Sequence, residues 1–410
     1  MKKSKIGFLV CILAVLFSCK ENGEKKETKV ATPKVAAENF PDKELALAAK
    51  QYDLLLKDAR EADRVPRTVN EQGGIHWANQ GFDWTIGFFP GTCWYLFEDT
   101  NDEKWKDAAD YFQSKFENFK NIKSNHDLGF VFQCSYGNGY KNTKNESYKD
   151  VLITAANSLI ERFNPKVGSI KSWNVDGGWQ SERGWKFPVI IDNMMNLELL
   201  FEVSKMTGDE KYKQIAITHA NTTLKNHFRD NNSSYHVVDY DPKTGKVRSK
   251  QTAQGFNHES SWARGQAWGL YGFTLSYRYT KDEAYLEQAT KIADFILSNE
   301  STPEDMIPYW DYDAPNIPNE PRDVSAAAIT ASALIELAGY DDEKYMEAAN
   351  KILKSLASSE YTANIGENNH FILKHSVGSI PHKNEINVPL NYADYYYVEA
   401  LLRYREASGK

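Results

Sequence analysis

The chain has 410 residues, 41% of them hydrophobic, enough to bury one large core without calling for a second domain. Its formal charge is −7, and loss of Lys2, Lys3 and Lys5 with a leader takes this to −10, which argues against a nucleic-acid partner. Any anionic ligand must then be held by local Arg, His and backbone donors against the overall field.

The N-terminus comes first. Lys2, Lys3 and Lys5 precede the apolar run from Ile6 to Phe17, which is too short to span a bilayer and reads as a targeting segment. Leu16-Phe17-Ser18-Cys19 resembles a bacterial lipoprotein signal, in which cleavage before Cys19 leaves that cysteine to carry lipid. A plain secretory signal is the other reading of the same residues. The expected organisation is a leader over residues 1–18, a solvated Lys/Glu/Thr/Ala-rich tether over 19–42 and a folded domain over 43–410. Such a protein is anchored in the bacterial cell envelope, facing either the periplasm or the exterior.

Beyond the tether one pattern recurs: an apolar helix, a short polar turn, then an amphipathic helix starting near an aromatic residue. The turns are Thr100 to Trp105, Thr207 to Tyr212, Thr280 to Tyr285 and Tyr340 to Tyr345, and Asp102, Asp209, Asp282 and Asp342 in them are candidate N-caps. Apolar spacing predicts amphipathic helices over 43–59, 105–119, 148–163, 212–228, 285–298 and 345–358. More uniformly apolar partners are predicted over 85–98, 127–136, 192–206, 263–279, 324–338 and 394–406. Alternation of the two kinds predicts an all-α fold, an (α/α)6 barrel with six outer and six inner helices; an open superhelix of helix pairs is the alternative. The long connections 164–191, 229–261, 299–323 and 359–391 all lead into inner helices, so the functional site is expected at that end.

That end collects Trp84, His126, Asp127, Trp173, Trp179, Asp192, His236, Gln254, Trp262, Arg264 and Trp268. Aromatic faces suit the C–H faces of sugar rings, and they serve a core equally well. Asp127 and Asp192 each stand at the start of an inner helix among apolar neighbours. Two readings stay open: ordinary N-caps, or paired carboxyl groups whose pKa values are pushed apart to divide acid and base roles. Trp262, Arg264 and Trp268 either clamp a planar ring and its carboxylate or pack as core around a structural Arg. Cys93 and Cys134 are expected to be small buried hydrophobes. His126, His236, His258 and Glu259 fit no metal-ligand spacing, and no metal or cofactor is expected.

Taken in order, these segments resemble the unsaturated glucuronyl hydrolases, glycoside hydrolase family 88. The resemblance is carried by Trp84 to Gly91, His126-Asp127-Leu128-Gly129-Phe130, Ile191-Asp192-Asn193-Met194-Met195-Asn196, Tyr235 to Asp239, Ser261 to Trp268 and Tyr392 to Tyr396. It implies that Asp192 is the general acid/base, assisted by Asp127. It further implies that Trp84, His126, Trp173 or Trp179, His236, Gln254, Trp262, Arg264 and Trp268 contact an unsaturated uronyl oligosaccharide. The implied reaction hydrates the C4=C5 vinyl ether of the terminal sugar rather than displacing at the anomeric carbon. Some sulfate-accepting relatives carry Ser-x-x-Ser-x-Lys in the last long loop; here the stretch is Ser376 to Pro381, with His382 and Lys383 as the nearby cations. Two rivals stand beside this reading: an unsaturated rhamnogalacturonyl-type hydrolase and a non-catalytic glycan-binding lipoprotein.

Overall fold

A computed structural model describes residues 40–409. Cys19, the predicted leader and most of the predicted tether lie outside these residues. In chain order the helices are α1 (Phe40–Ala62), α2 (Phe88–Thr100), α3 (Glu103–Ser114), α4 (Asn138–Thr143), α5 (Glu146–Ile160), α6 (Gly178–Ser181), α7 (Leu197–Thr207), α8 (Glu210–Asn226), α9 (Ala263–Thr280), α10 (Glu283–Ser298), α11 (Val324–Ala338), α12 (Glu343–Leu356) and α13 (Asn391–Ala407). A π-helical segment, Gly129–Gly137, runs into α4, and a 3-10 segment, Ile191–Asn196, runs into α7.

Burial sorts the helices into two layers. α12 buries Tyr345, Ala349, Ile352, Leu353 and Leu356, one stripe of an amphipathic surface, whereas α11 is buried nearly all round from Val324 to Leu337. The inner helices contact one another in sequence, α2 on the π-helical segment, that segment on α7, then α7 on α9, α9 on α11 and α11 on α13. α13 packs back on α2, so the inner ring closes and the open superhelix is ruled out.

The turn chemistry sets where outer helices begin. Asp102, Asp209, Asp282 and Asp342 each accept the backbone N–H two residues on, at 3.0, 3.0, 3.0 and 2.8 Å, and Asn145 does the same for α5 at 3.0 Å. Each cap is worth about 1 kcal/mol and starts its helix at the following Glu, ahead of the aromatic residue that the apolar spacing marks. At the N-terminus, helix begins at Phe40, with Asp42 in its first turn, so 40–42 belong to the barrel and not to the tether. The second inner helix also runs past its expected end at Tyr136. Gly139 there serves close packing and not termination: an added Cβ would sit 3.0 Å from the Trp94 ring.

The long connections fold into small β-structures over one end of the barrel. Phe187–Ile190, Val237–Tyr240 and Val247–Gln251 make an antiparallel three-stranded sheet in that order, and Ser376–Ser379 pairs with Asn384–Val388. The register pairs Ile190 with Val237, and Ile191 N–H donates to the His236 carbonyl at 3.0 Å. This register sets His236 beside Asp192.

Candidate active site

Asp127 and Asp192 come from different inner helices whose first turns are pressed together. An added Cβ on Gly129 would fall 2.4 Å from Asn196 Cα, so only glycine allows this approach. Asn196 Oδ1 takes the Phe130 N–H at 3.1 Å, and its amide reaches His126 Nδ1 at 3.4 Å and Asn193 Oδ1 at 3.3 Å. Gly87 makes a second close approach, its Cβ position lying 2.3 Å from the Val131 carbonyl oxygen.

Neither aspartate caps a helix. The residues at the cap positions are Leu128 and Ile190, and neither segment has a side-chain cap bond. The Asp192 Oδ2 atom is buried and accepts no hydrogen bond among the described residues. A buried carboxyl oxygen without a partner is costly, which makes this one a candidate for a functional role.

Burial pushes the Asp192 carboxyl up to about 7, with the Arg264 charge pulling the other way. Asp127 is pushed up to about 8, chiefly by burial and then by the charge of Asp192, while Arg162 draws it down. Each carboxyl opposes ionisation of its neighbour, so the pair retains a proton near neutrality. Arg162 is itself held by the carbonyls of Lys123, Lys171 and Ser172 at 2.7, 2.8 and 3.1 Å.

His236 is fixed in one tautomer. Its Nδ1 accepts the N–H groups of Ala253 and Gln254 at 3.1 and 3.2 Å, which leaves the proton on Nε2. Nε2 lies 3.6 Å from Asp192 Oδ2, just beyond hydrogen-bond length, and has no partner of its own. Burial, aided by Arg264, holds the His236 pKa well below its ordinary value, so the ring is a neutral donor. His126 is likewise neutral, pushed down to about 3 by burial, with Nε2 3.3 Å from Asp127 Oδ1.

The aromatic residues divide into surface and support. Trp173, Trp179 and Trp185 form one cluster, with ring centroids 5.1 to 5.8 Å apart, and Trp173 meets His236 edge-on at 5.9 Å. Trp84 is half-buried against Phe130 and Tyr392. Trp262 is buried, with its ring 4.6 Å from that of His236 and the Arg264 guanidinium 4.6 Å from its centroid. Trp268 is wholly buried between Phe130 and Tyr396, behind the site and not at its surface.

Arg264 is also committed elsewhere. Its guanidinium donates to Asp323 Oδ2 at 3.0 Å, to the Gly378 carbonyl at 2.7 Å and to the Val377 carbonyl. These bonds tie the hairpin to α9; the Arg264 Nε donor is buried with no partner among the described residues, and the charge of Arg264 acts on Asp192. Gln254 reaches the same hairpin, donating to the Gly378 carbonyl at 3.2 Å. Sequence reasoning did not single out Arg162, Asn193, Asn196 or Asp323. Their partners sit on other elements, as Asn196 with Phe130 and Asp323 with Arg264, and the one available signal was Asn196 following Asp192 and Asn193 at helix spacing of four and three.

Among the described residues no three His, Cys, Asp or Glu side chains converge as a metal site requires. Cys93 and Cys134 are buried free thiols that burial holds above the ordinary range, which makes them inert.

This arrangement has known counterparts. The sequence profile of Glycosyl Hydrolase Family 88 matches residues 59–406. An unsaturated glucuronyl hydrolase of Formosa agariphila is 42% identical over 404 residues, 97% of this chain and 98% of that one. A crystal structure of an unsaturated glucuronyl hydrolase specific for heparin superposes with a TM-score of 0.86 at 46% identity, over 91% of this chain and 99% of that one. The unsaturated glucuronyl hydrolase of Bacillus sp. GL1 gives a TM-score of 0.82 at 31% identity, over 88% and 96%. The match in sequence spans nearly the whole barrel and the match in structure keeps its closed ring of helices: the chain belongs to glycosyl hydrolase family 88.

Proposed function

We propose that the protein removes a terminal 4,5-unsaturated uronic acid from oligosaccharides produced by polysaccharide lyases, with Asp192 as the proton-transferring group. The observation that carries this reading is the unpartnered Asp192 Oδ2, facing the Nε2–H of a neutral His236 and held near neutrality by burial. A group that gives a proton and then takes one works best with a pKa close to the working pH.

In the proposed reaction the Asp192 carboxyl delivers its proton to C4. The C4=C5 electron pair forms the new C–H bond, and positive charge develops on C5 and the ring oxygen. A carboxylate of the aspartate pair stabilises that charge in a site with little water. Water then adds to C5 and gives a proton back to the Asp192 carboxylate. The C5 hemiketal opens to a ketone, and the freed hemiacetal at C1 releases the neighbouring sugar. No covalent enzyme intermediate is required, and the two acids need not flank an anomeric carbon.

His236 Nε2–H orients Asp192 or a substrate oxygen, and Trp84 with the Trp173 cluster supplies faces for sugar rings. The names of the relatives support a uronyl substrate, and one of them is described as specific for heparin. A mixture of lyase products from glycosaminoglycans, pectin, alginate and ulvan tests the proposal. Loss of the ultraviolet absorbance of the enol acid, in step with release of the neighbouring sugar, is the expected result. Sugar release with the chromophore intact, or binding without turnover, overturns it; the second outcome restores the glycan-binding reading.

The leader pattern supports a further proposal, that Cys19 carries lipid and anchors the enzyme in the cell envelope. Metabolic labelling with a fatty acid, lost in Cys19→Ser, tests it.

A further inference from the structure

Arg183 stands out among the groups that the proposed reaction does not use. It follows α6 in the long connection between α5 and α7, and its guanidinium lies over two of the clustered indoles, 5.7 Å from Trp179 and 5.5 Å from Trp185. It is half-buried, yet among the described residues its side chain makes no hydrogen bond and no ion pair. Most other arginines near the mouth are engaged: Arg162 and Arg229 by carbonyls, Arg67, Arg248 and Arg264 by carboxylates.

Its position is on the rim of the site. The His382 ring packs 4.9 Å from Trp179, and Ser379 Oγ bonds His382 Nδ1 at 2.7 Å. Hairpin and loop thus face each other across the same tryptophans. Trp173, in that cluster, touches His236, which faces Asp192. Burial is the main cause that lowers the pKa of both His236 and His382, and the positive charge of Arg183 adds to it in each.

A guanidinium stacked on aromatic faces is oriented but not neutralised, and its fork of N–H groups matches an oxyanion. In an acidic protein such a cation also corrects the local field for an anionic sugar. We infer that Arg183 is a specificity-determining residue, which binds a sulfate or carboxylate group on the sugar that follows the scissile bond. This inference rests on the proposed removal of an unsaturated uronic acid. Trp179 supplies the face for that second sugar, Arg183 reads its charge, and His382 with Ser379 closes the opposite side.

The test compares matched unsaturated disaccharides whose second sugar is neutral, sulfated or a uronate, with kcat and KM measured separately for wild type, Arg183→Gln and Arg183→Lys. The expected result is that Arg183→Gln lowers the charged-to-neutral ratio of kcat/KM by about tenfold or more, mainly through KM, and Arg183→Lys recovers part of it. The sulfated and uronate arms identify which oxyanion is read. An unchanged ratio in Arg183→Gln overturns the inference, and so does a wild type that prefers the neutral disaccharide. Turnover of none of the three by wild type is a different failure, that of the proposed reaction itself.

Discussion

His236 Nε2 and Asp192 Oδ2 lie 3.6 Å apart, both buried and both without a hydrogen-bond partner among the described residues. Two complementary groups left this close and unjoined are poised to share a third group between them. The Nδ1 bonds to Ala253 and Gln254 make the histidine side of this relationship a fixed donor. We expect the His236 imidazole to show a single Nε2–H tautomer and no titration between about pH 5 and 8, as read by its ring nitrogen resonances. A midpoint inside that window contradicts the assignment.

In the proposed reaction the alkaline limb of activity belongs to the aspartate pair. Asp192 must hold a proton before the reaction starts, and its pKa is raised to about 7. kcat/KM is therefore expected to fall as pH rises through about this value, with an apparent pKa that belongs to Asp127 and Asp192 together. Activity undiminished well above both values contradicts proton delivery by either acid.

Stability follows the same groups. Folded-state pKa values raised to about 7 and about 8 mean that the folded protein holds these protons more tightly than the unfolded chain. The associated stability is full below the unfolded carboxyl range and is lost as pH rises through the folded values. Asp192→Asn should thus raise the unfolding free energy near pH 9, by on the order of 1–3 kcal/mol, with little change near pH 4. Equal shifts at both pH values contradict this.

Gly129→Ala tests the contact that brings the two aspartates together. The new methyl would overlap Asn196 Cα, so the 3-10 segment Ile191–Asn196 and the π-helical segment must separate. A destabilisation of about 1–3 kcal/mol is expected. The loss of kcat should exceed what the unfolded fraction explains. Full activity in a stable variant contradicts the account of Gly129.

Arg264→Lys tests the tie between α9 and the hairpin. A lysine keeps the charge but lacks the planar fork whose two terminal nitrogens reach Asp323 and Val377 on one side and Gly378 on the other. Thermal unfolding should show a loss of about 1–3 kcal/mol, the cost of losing charge-assisted bonds to the hairpin carbonyls while the pair with Asp323 is kept. A loss under about 1 kcal/mol places the hold on the hairpin elsewhere.

The ring of helices was legible in the sequence because each piece of evidence for it is local. Asp102, Asp209, Asp282 and Asp342 bond groups two residues away, and the stripe on α12 repeats within a few turns. The mouth was less legible because its contacts are distant. Ile190 pairs with Val237, and Arg264 with Asp323. The β-branched runs Val189-Ile190 and Val237-Val238 signal short strands but carry no register. For the same reason the sequence left open whether Trp262, Arg264 and Trp268 clamp a ligand or pack as core, whereas in the fold Trp268 is wholly buried and Arg264 is tied to the hairpin. The N-cap reading of Asp127 and Asp192 fell only once Leu128 and Ile190 were seen at the cap positions.

The most direct test of the account is the rate at which Asp192→Asn consumes the chromophore of a substrate that wild type turns over, with binding of that substrate measured alongside. An amide has the carboxyl group's shape but no proton to deliver to carbon. The account predicts a fall in kcat of about a thousandfold with binding retained. Turnover within about tenfold of wild type would mean that the proton comes from elsewhere.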